Sequence, residues 1–312
     1  MVKESLNWIV VSFAAVVMLA ACAPVSAPGA GGKAAPKVLV TETFLADIVQ
    51  NVAGDRLKVD ALIPLGVDPH GFEPTPRDVK KVADSSVLIV NGAGFEEFLA
   101  KLLENAGGQR TVIEAAAGLE SRKPRADEVA ADEHGRAGDP HFWLDPVSII
   151  RYVENIRDGL STVDPAGTQV YAANAQAYIA KLRDLDKWAA EQMQQVPADR
   201  RVLVTNHESL GYFADRYGLR IVGAIIPSVS SGASPSAQQL AGLADAVKRA
   251  GVKAIFLETG ANPQLANQLA RDAGIKAVTS LYTHSITDAK GPAPTYIDMM
   301  KYNVKAIVDA LK

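Results

Sequence analysis

From Lys37 onward the chain alternates short apolar runs with segments whose apolar residues recur every three or four positions. The first runs, "KVLVT", "KVDALIP", "VLIVNG" and "TVIEAA", are bounded by polar or glycine-containing turns and predict strands. Between them lie helical patterns: "TFLADIVQNVAG", closing on a glycine, and "TPRDVKKVADS", opening at Thr75 and Pro76. "GFEEFLAKLLENAGG" predicts a third helix, with Phe95, Phe98, Leu99 and Leu102 on one face. Residues 121–140 are polar and without period, and read as a loop. "PVSIIRYVENIRDGLSTV" is again helical, and "PAGTQVYAANAQAYIAKLRDLDKWAAEQMQQV" continues without an internal Gly or Pro after its opening. At 1.5 Å per residue that segment spans about 45 Å, more than one small domain needs. The scheme then repeats, with strands "RVLVTN", "RIVGAII", "KAIFLE" and "KAVTSL" separated by helical patterns and followed by a closing helix, "TYIDMMKYNVKAIVDALK". The expected fold class is therefore α/β. Two α/β lobes with mostly parallel sheets, residues 37–166 and 197–312, are joined by one long rigid backbone helix at 167–196.

The N-terminus lies outside this alternation. Lys3 is followed by the apolar run "LNWIVVSFAAVVMLAA", of signal-peptide length and ending in small residues, so residues 1–21 read as a secretory signal peptide. "LAAC" resembles a bacterial lipobox, which makes Cys22 the lipidated first residue of the mature chain; an uncleaved N-terminal anchor is the alternative. Residues 22–36, rich in Ala, Pro and Gly, read as a flexible stalk. Either reading puts the body of the protein outside the cytoplasm, tethered to a bacterial membrane. Cys22 is the only cysteine, which excludes a disulfide framework, a thiolate metal site and a cysteine nucleophile in the fold. A net charge of −3 with interspersed signs leaves no nucleic-acid footprint.

Histidine is scarce, with five in the chain, and four of them follow predicted strand ends or lead into helices. His70 follows "VDALIP", His141 precedes "PVSII", His207 follows "RVLVTN" directly, and His284 follows "KAVTSLYT". In open α/β sheets ligands bind beyond the carboxyl ends of the strands. Two histidines from each half thus face one interlobe cleft, and four imidazoles without cysteine suit tetrahedral Zn²⁺. His134, in the acidic loop "ADEHGRAGD", has no strand behind it and reads as an ordinary surface residue. Asp-Pro precedes both His70 and His141; proline fixes its own φ and holds the preceding residue extended, giving each imidazole a rigid mount. Asp145 is expected to cap the following helix, with Pro146 at its first position.

The segments "GVDPHGFEPTPRDV", "DPHFWLDP", "TNHESLGYFADRYGL" and "LYTHSITDAKGPAPTYIDMMKYN" resemble the solute-binding lipoproteins of zinc and manganese ABC importers, over the whole chain from about Lys37. The resemblance implies two α/β lobes on a rigid helix with a metal between them, and it maps the metal ligands onto His70, His141 and His207. The third position is commonly Glu in manganese members and His in zinc members, so His207 favours zinc. The fourth is often an aspartate, where this chain has His284; Asp288, Glu208 or water are the alternatives, and His284 is preferred because it stands at the matching place. Loss of that carboxylate also argues against Mn²⁺, which prefers oxygen ligands.

The expected function is capture of Zn²⁺ outside the cytoplasm and its delivery to an ABC permease by a monomer with no catalytic residues. Glu208 and Asp139 are candidates for orienting the imidazoles from behind. A manganese or iron importer component is the main alternative, and a zinc hydrolase using Glu208 or Glu258 as base is a second. A catalytic zinc needs an open position, which a fourth protein ligand closes.

Overall fold

The computed structural model describes residues 35–123 and 138–312. The expected signal peptide, Cys22, most of the expected stalk and His134 lie outside the described residues. The first half runs β1 (Val38–Val40), α1 (Thr43–Ala53), β2 (Val59–Ala61), α2 (Pro76–Ala83), β3 (Val87–Val90), α3 (Leu99–Ala106) and β4 (Thr111–Glu114). Two helices follow, α4 (Ser148–Val163) and α5 (Thr168–Met193). The second half runs β5 (Val202–Thr205), α6 (Gly211–Tyr217), β6 (Arg220–Ala224), α7 (Ala237–Ala250), β7 (Ala254–Glu258), α8 (Gln264–Ala273), β8 (Lys276–Leu281) and α9 (Tyr296–Leu311).

Each half carries a four-stranded sheet, ordered β2-β1-β3-β4 and β6-β5-β7-β8, with every neighbouring pair parallel. The two orders are the same pattern. Each chain half lays its second strand on one side of its first strand and its third strand on the other. The winding therefore reverses between β1 and β3, and again between β5 and β7, which places a ligand crevice beyond those strand ends. The central strands are buried along their whole length, which explains why "VLIV", "VLVT" and "AIFLE" are apolar runs rather than alternating ones.

Local signals start and stop the helices. Thr75 and Asp78 close a capping box on α2 with Pro76 in its first turn, and Ser236 and Gln239 do the same for α7. Asp145 stabilises the start of α4: its carboxylate accepts the Val147 N–H at 2.9 Å and the Ser148 hydroxyl at 3.0 Å. The third helix begins later than its pattern suggests. Gly92, Ala93 and Gly94 wind through φ of 82°, 53° and 79°, and the Phe95 N–H returns to the Gly92 carbonyl. Phe95 consequently leaves the helical face and enters the main core.

α5 is 26 residues long, about 39 Å at the usual rise. It buries one stripe, Tyr171, Ala175, Tyr178, Leu182, Leu185, Ala189 and Met193, at three- and four-residue spacing. That stripe belongs to a core cluster that includes Val38, Phe44 and Ile89 from the first half and Leu203, Phe256 and Leu311 from the second. The lobes thus share this central core, while each keeps a smaller apolar cluster of its own. α9 reinforces it: the Tyr296 N–H binds Asp47 on α1 at 2.9 Å, and its hydroxyl binds the Trp143 carbonyl at 2.8 Å. Among the described residues no helix is long and apolar enough to cross a membrane.

Candidate metal centre

The repeated Asp-Pro-His tripeptide has a common geometry. Asp68 accepts the backbone N–H of His70 at 3.0 Å, and Asp139 accepts that of His141 at 3.0 Å. Aspartate two residues upstream thus closes a small side-chain turn that fixes where each imidazole leaves the backbone. His207 stands directly beyond β5, its carbonyl held by the Thr205 hydroxyl at 2.7 Å. His284 follows β8, and the Trp143 indole N–H donates to the carbonyl of the preceding Thr283 at 2.6 Å.

These four loops bring His70, His141, His207 and His284 together. Their ligand-capable atoms all lie within 4.8 Å of one another, and ring centroids are 5.1 to 5.7 Å apart. The Nε2 of His141 is 3.3 Å from that of His70 and 3.3 Å from that of His207. A tetrahedral ion with metal–nitrogen bonds of about 2.0 Å holds its donors about 3.3 Å apart. The His284 Nε2 is buried without a hydrogen-bond partner, a costly state for a ring nitrogen that nothing binds. His141, His207 and His284 are buried and His70 is half-buried. Asp288, by contrast, is exposed, with its carboxylate on the Lys290 N–H, and neither it nor Glu208 belongs to the cluster.

On His141, His207 and His284 the other ring nitrogen meets an acceptor. His141 Nδ1 lies 2.8 Å from Asp139 Oδ1, and His207 Nδ1 lies 2.6 Å from Glu258 Oε1. His284 Nδ1 lies 3.2 Å from Glu258 Oε2 and 3.1 Å from the Thr283 hydroxyl. An Nδ1–H donated outward leaves Nε2 as a lone-pair donor pointing inward. Glu258 was visible in the sequence only as a possible base. Its position as the last residue of β7, across the switch point from β5, is what places it behind two rings.

Burial, followed by the neighbouring histidines, holds His141 well below the usual imidazole range. Burial also opposes charge on His284, but its hydrogen bond to Glu258 and that carboxylate's charge outweigh it and raise the group. Glu258 is likewise penalised by burial, yet His207 and His284 hold it far below the ordinary carboxylate range. Burial pushes Asp139 up to about 7 against the opposing pull of the His141 N–H and Arg122; the nearby charge of Glu208 adds to the rise. Glu208 itself is half-buried, with its backbone N–H on the Ser228 carbonyl.

A crevice leads to the cluster past Gly66, Val67, Asp68, Thr259, Ala261 and Ser285. Both halves meet across it. The Gly66 N–H donates to the Ser285 hydroxyl at 2.9 Å, and the Ser231 hydroxyl donates to Asp68. At the first sheet's switch point lies a buried acidic pair that sequence reasoning passed over. The Thr41 hydroxyl reaches Glu42 at 2.7 Å and Glu96 at 2.8 Å. Burial raises Glu96, and burial together with the adjacent Glu96 charge raises Glu42 well above the usual range.

Residues 38–310 match the family described as ZnuA, zinc-uptake complex component A, periplasmic. The chain is 35% identical over 275 residues to the manganese-binding lipoprotein MntA of Halalkalibacterium halodurans, covering 88% of each. It is also 35% identical over 280 residues to the zinc-binding lipoprotein AdcA of Streptococcus pneumoniae, covering 87% of this chain and 55% of that protein. The periplasmic zinc-binding protein TroA of Treponema pallidum superposes with a TM-score of 0.79 at 27% identity, covering 88% of this chain and 99% of that one. With the two-lobed fold, the chain belongs to the ZnuA family of solute-binding proteins that serve zinc and manganese ABC importers.

Proposed function

We propose that this protein captures Zn²⁺ outside the cytoplasm, through His70, His141, His207 and His284, and delivers it as cargo to an ABC permease. The observation that carries this reading is the inward convergence of imidazole Nε2 atoms at tetrahedral spacing, with the nearby carboxylates bonded on the opposite, Nδ1 side. A donor set of four nitrogens and no oxygen suits Zn²⁺ better than Mn²⁺, which favours carboxylate, carbonyl and water. Resemblance to MntA favours a manganese reading, and the donor chemistry weighs against it. Against the hydrolase reading with Glu208 or Glu258 as base stand the engagement of Glu258 with two imidazoles and the place of Glu208 outside the ligand cluster. In the same proposal residues 1–21 direct export, Cys22 carries the lipid, residues 22–36 form the stalk, and the monomer works from a membrane surface.

The test is titration of the chelator-stripped, full-length protein with Zn²⁺ and Mn²⁺, alongside single alanine variants of the four histidines. Tight zinc binding that each variant severely weakens supports the proposal. Manganese bound more tightly than zinc, or zinc affinity indifferent to His141→Ala and His207→Ala, ends it.

A further inference from the structure

Phe95 stands where the imidazole cluster meets the shared core. Its ring is 1% exposed and lies edge-on to His70 at 5.0 Å and to His141 at 5.9 Å, and stacked on His284 at 6.1 Å with 13° between planes. Trp143 backs it at 4.7 Å. His70, His141 and His284 bound one face of the four-imidazole group, and Phe95 covers that face with carbon. A water placed there would find few polar partners, which is the condition under which a small space stays dry.

The loop that carries Phe95 is held in an unfavourable shape. Ala93, at φ 53°, is the one non-glycine with positive φ among the described residues, a conformation costing on the order of 1 kcal/mol. Glu96 fastens the loop: its buried carboxylate accepts the N–H groups of Asn91 at 2.6 Å and Gly92 at 3.1 Å, besides the Thr41 hydroxyl. Asn91 in turn donates to the Pro140 carbonyl at 3.2 Å, beside His141. A phenylalanine on an ordinary helical face would fill core volume without these devices. Their effect is to set one ring against three imidazoles.

We infer that Phe95 is a specificity-determining residue that keeps solvent off the His70–His141–His284 face and holds a bound ion to the four nitrogen donors. The inference rests on the zinc reading and says how that site discriminates. Zn²⁺ has no d-electron preference and is satisfied by four ligands, whereas Mn²⁺ and similar ions seek six, the additional ones commonly water. Closing one face to water withholds those ligands.

Cobalt(II) reports coordination number directly, since four-coordinate nitrogen complexes absorb visible light far more strongly than six-coordinate ones. The full-length, chelator-stripped protein, Phe95→Ala and Phe95→Leu are each loaded with Co²⁺, and Zn²⁺ and Mn²⁺ affinities are measured in parallel. The expected result is an intense tetrahedral spectrum in the unmodified protein and severalfold weaker absorption in Phe95→Ala, with the preference for zinc over manganese narrowed by roughly tenfold. If Phe95→Ala does not fold, Phe95→Leu decides, because it frees about the volume of one water beside the imidazoles. Spectra and metal preference unchanged in the folded variant overturn the role of Phe95 while leaving the zinc reading intact. A six-coordinate spectrum in the unmodified protein overturns the zinc reading first.

Discussion

His207 Nδ1 lies 2.6 Å from Glu258 Oε1, a bond that joins the end of β5 to the end of β7 across the switch point of the second sheet. The same carboxylate turns its other oxygen to His284, 3.2 Å away, beyond β8. One side chain on a rigid strand end therefore aims two rings from two loops at a common point. Its burial makes the arrangement exacting, since a buried carboxylate without partners is far costlier than an exposed one.

Glu258→Gln keeps the volume and removes the charge that favours both Nδ1–H tautomers. Zinc affinity is expected to fall by about 10- to 100-fold, the range found when residues that orient metal ligands are replaced. Competition against a chromophoric chelator measures it. Affinity equal to that of the unmodified protein would show that the rings are oriented by something else.

The contact between Ser231 and Asp68 bridges the crevice mouth, and Asp68 also anchors the backbone of His70. Ser231→Ala removes one hydrogen bond worth about 0.5–1.5 kcal/mol net, which corresponds to zinc release faster by roughly 2- to 10-fold. Stopped-flow transfer of zinc to an excess of chelator gives the rate. A rate identical to the parent's would mean that this bridge does not restrain departure of the ion.

Glu42 gives a pH dependence of stability with a definite sign. Its folded-state pKa lies well above the ordinary glutamate value of 4.5, raised by burial and by Glu96, with the Thr41 hydroxyl opposing. The protonated form stabilises the fold fully below pH 4.5, and that contribution is lost as pH rises toward and through the raised value. Glu42→Gln has no proton to lose. Urea unfolding of the metal-free proteins between about pH 5 and pH 8 should show the variant gaining on its parent as pH increases. Parallel curves would mean that Glu42 is ionised in the native protein.

Trp143 stacks on Phe44 of α1 at 4.6 Å and donates its indole N–H to Thr283, next to His284. Trp143→Phe keeps most of the packing and leaves that buried carbonyl unpaired, at a cost of about 1–3 kcal/mol. Chemical denaturation reads the loss, and the zinc titration should weaken with it, because the loop bearing His284 loses its tether. Unaltered stability would indicate that the carbonyl finds another donor.

Much of this architecture was legible along the chain. Fully buried parallel strands write themselves as unbroken apolar runs, and Thr75, Pro76 and Ser236 mark helix starts through local chemistry alone. His70, His141, His207 and His284 stood out because ligand positions in such folds follow strand ends. Glu258 was harder to place, since its partner His207 is 51 residues away and the pairing exists only once β5 and β7 lie side by side. Phe95 was misplaced for a different reason. Its spacing from Leu99 and Leu102 fits a helix, and only the positive-φ turn through Gly92, Ala93 and Gly94 delays the first helical turn. The pairing of Glu42 with Glu96 likewise depends on the adjacency of β1 and β3, not on sequence proximity.

α9 follows every other described element along the chain, yet Tyr296 at its start seals contacts on α1 and on Trp143, far upstream of it. A nascent polypeptide still short of that tyrosine has an interior it cannot close. Folding half by half on the ribosome is thereby discouraged, and final consolidation is deferred until Tyr296 has emerged.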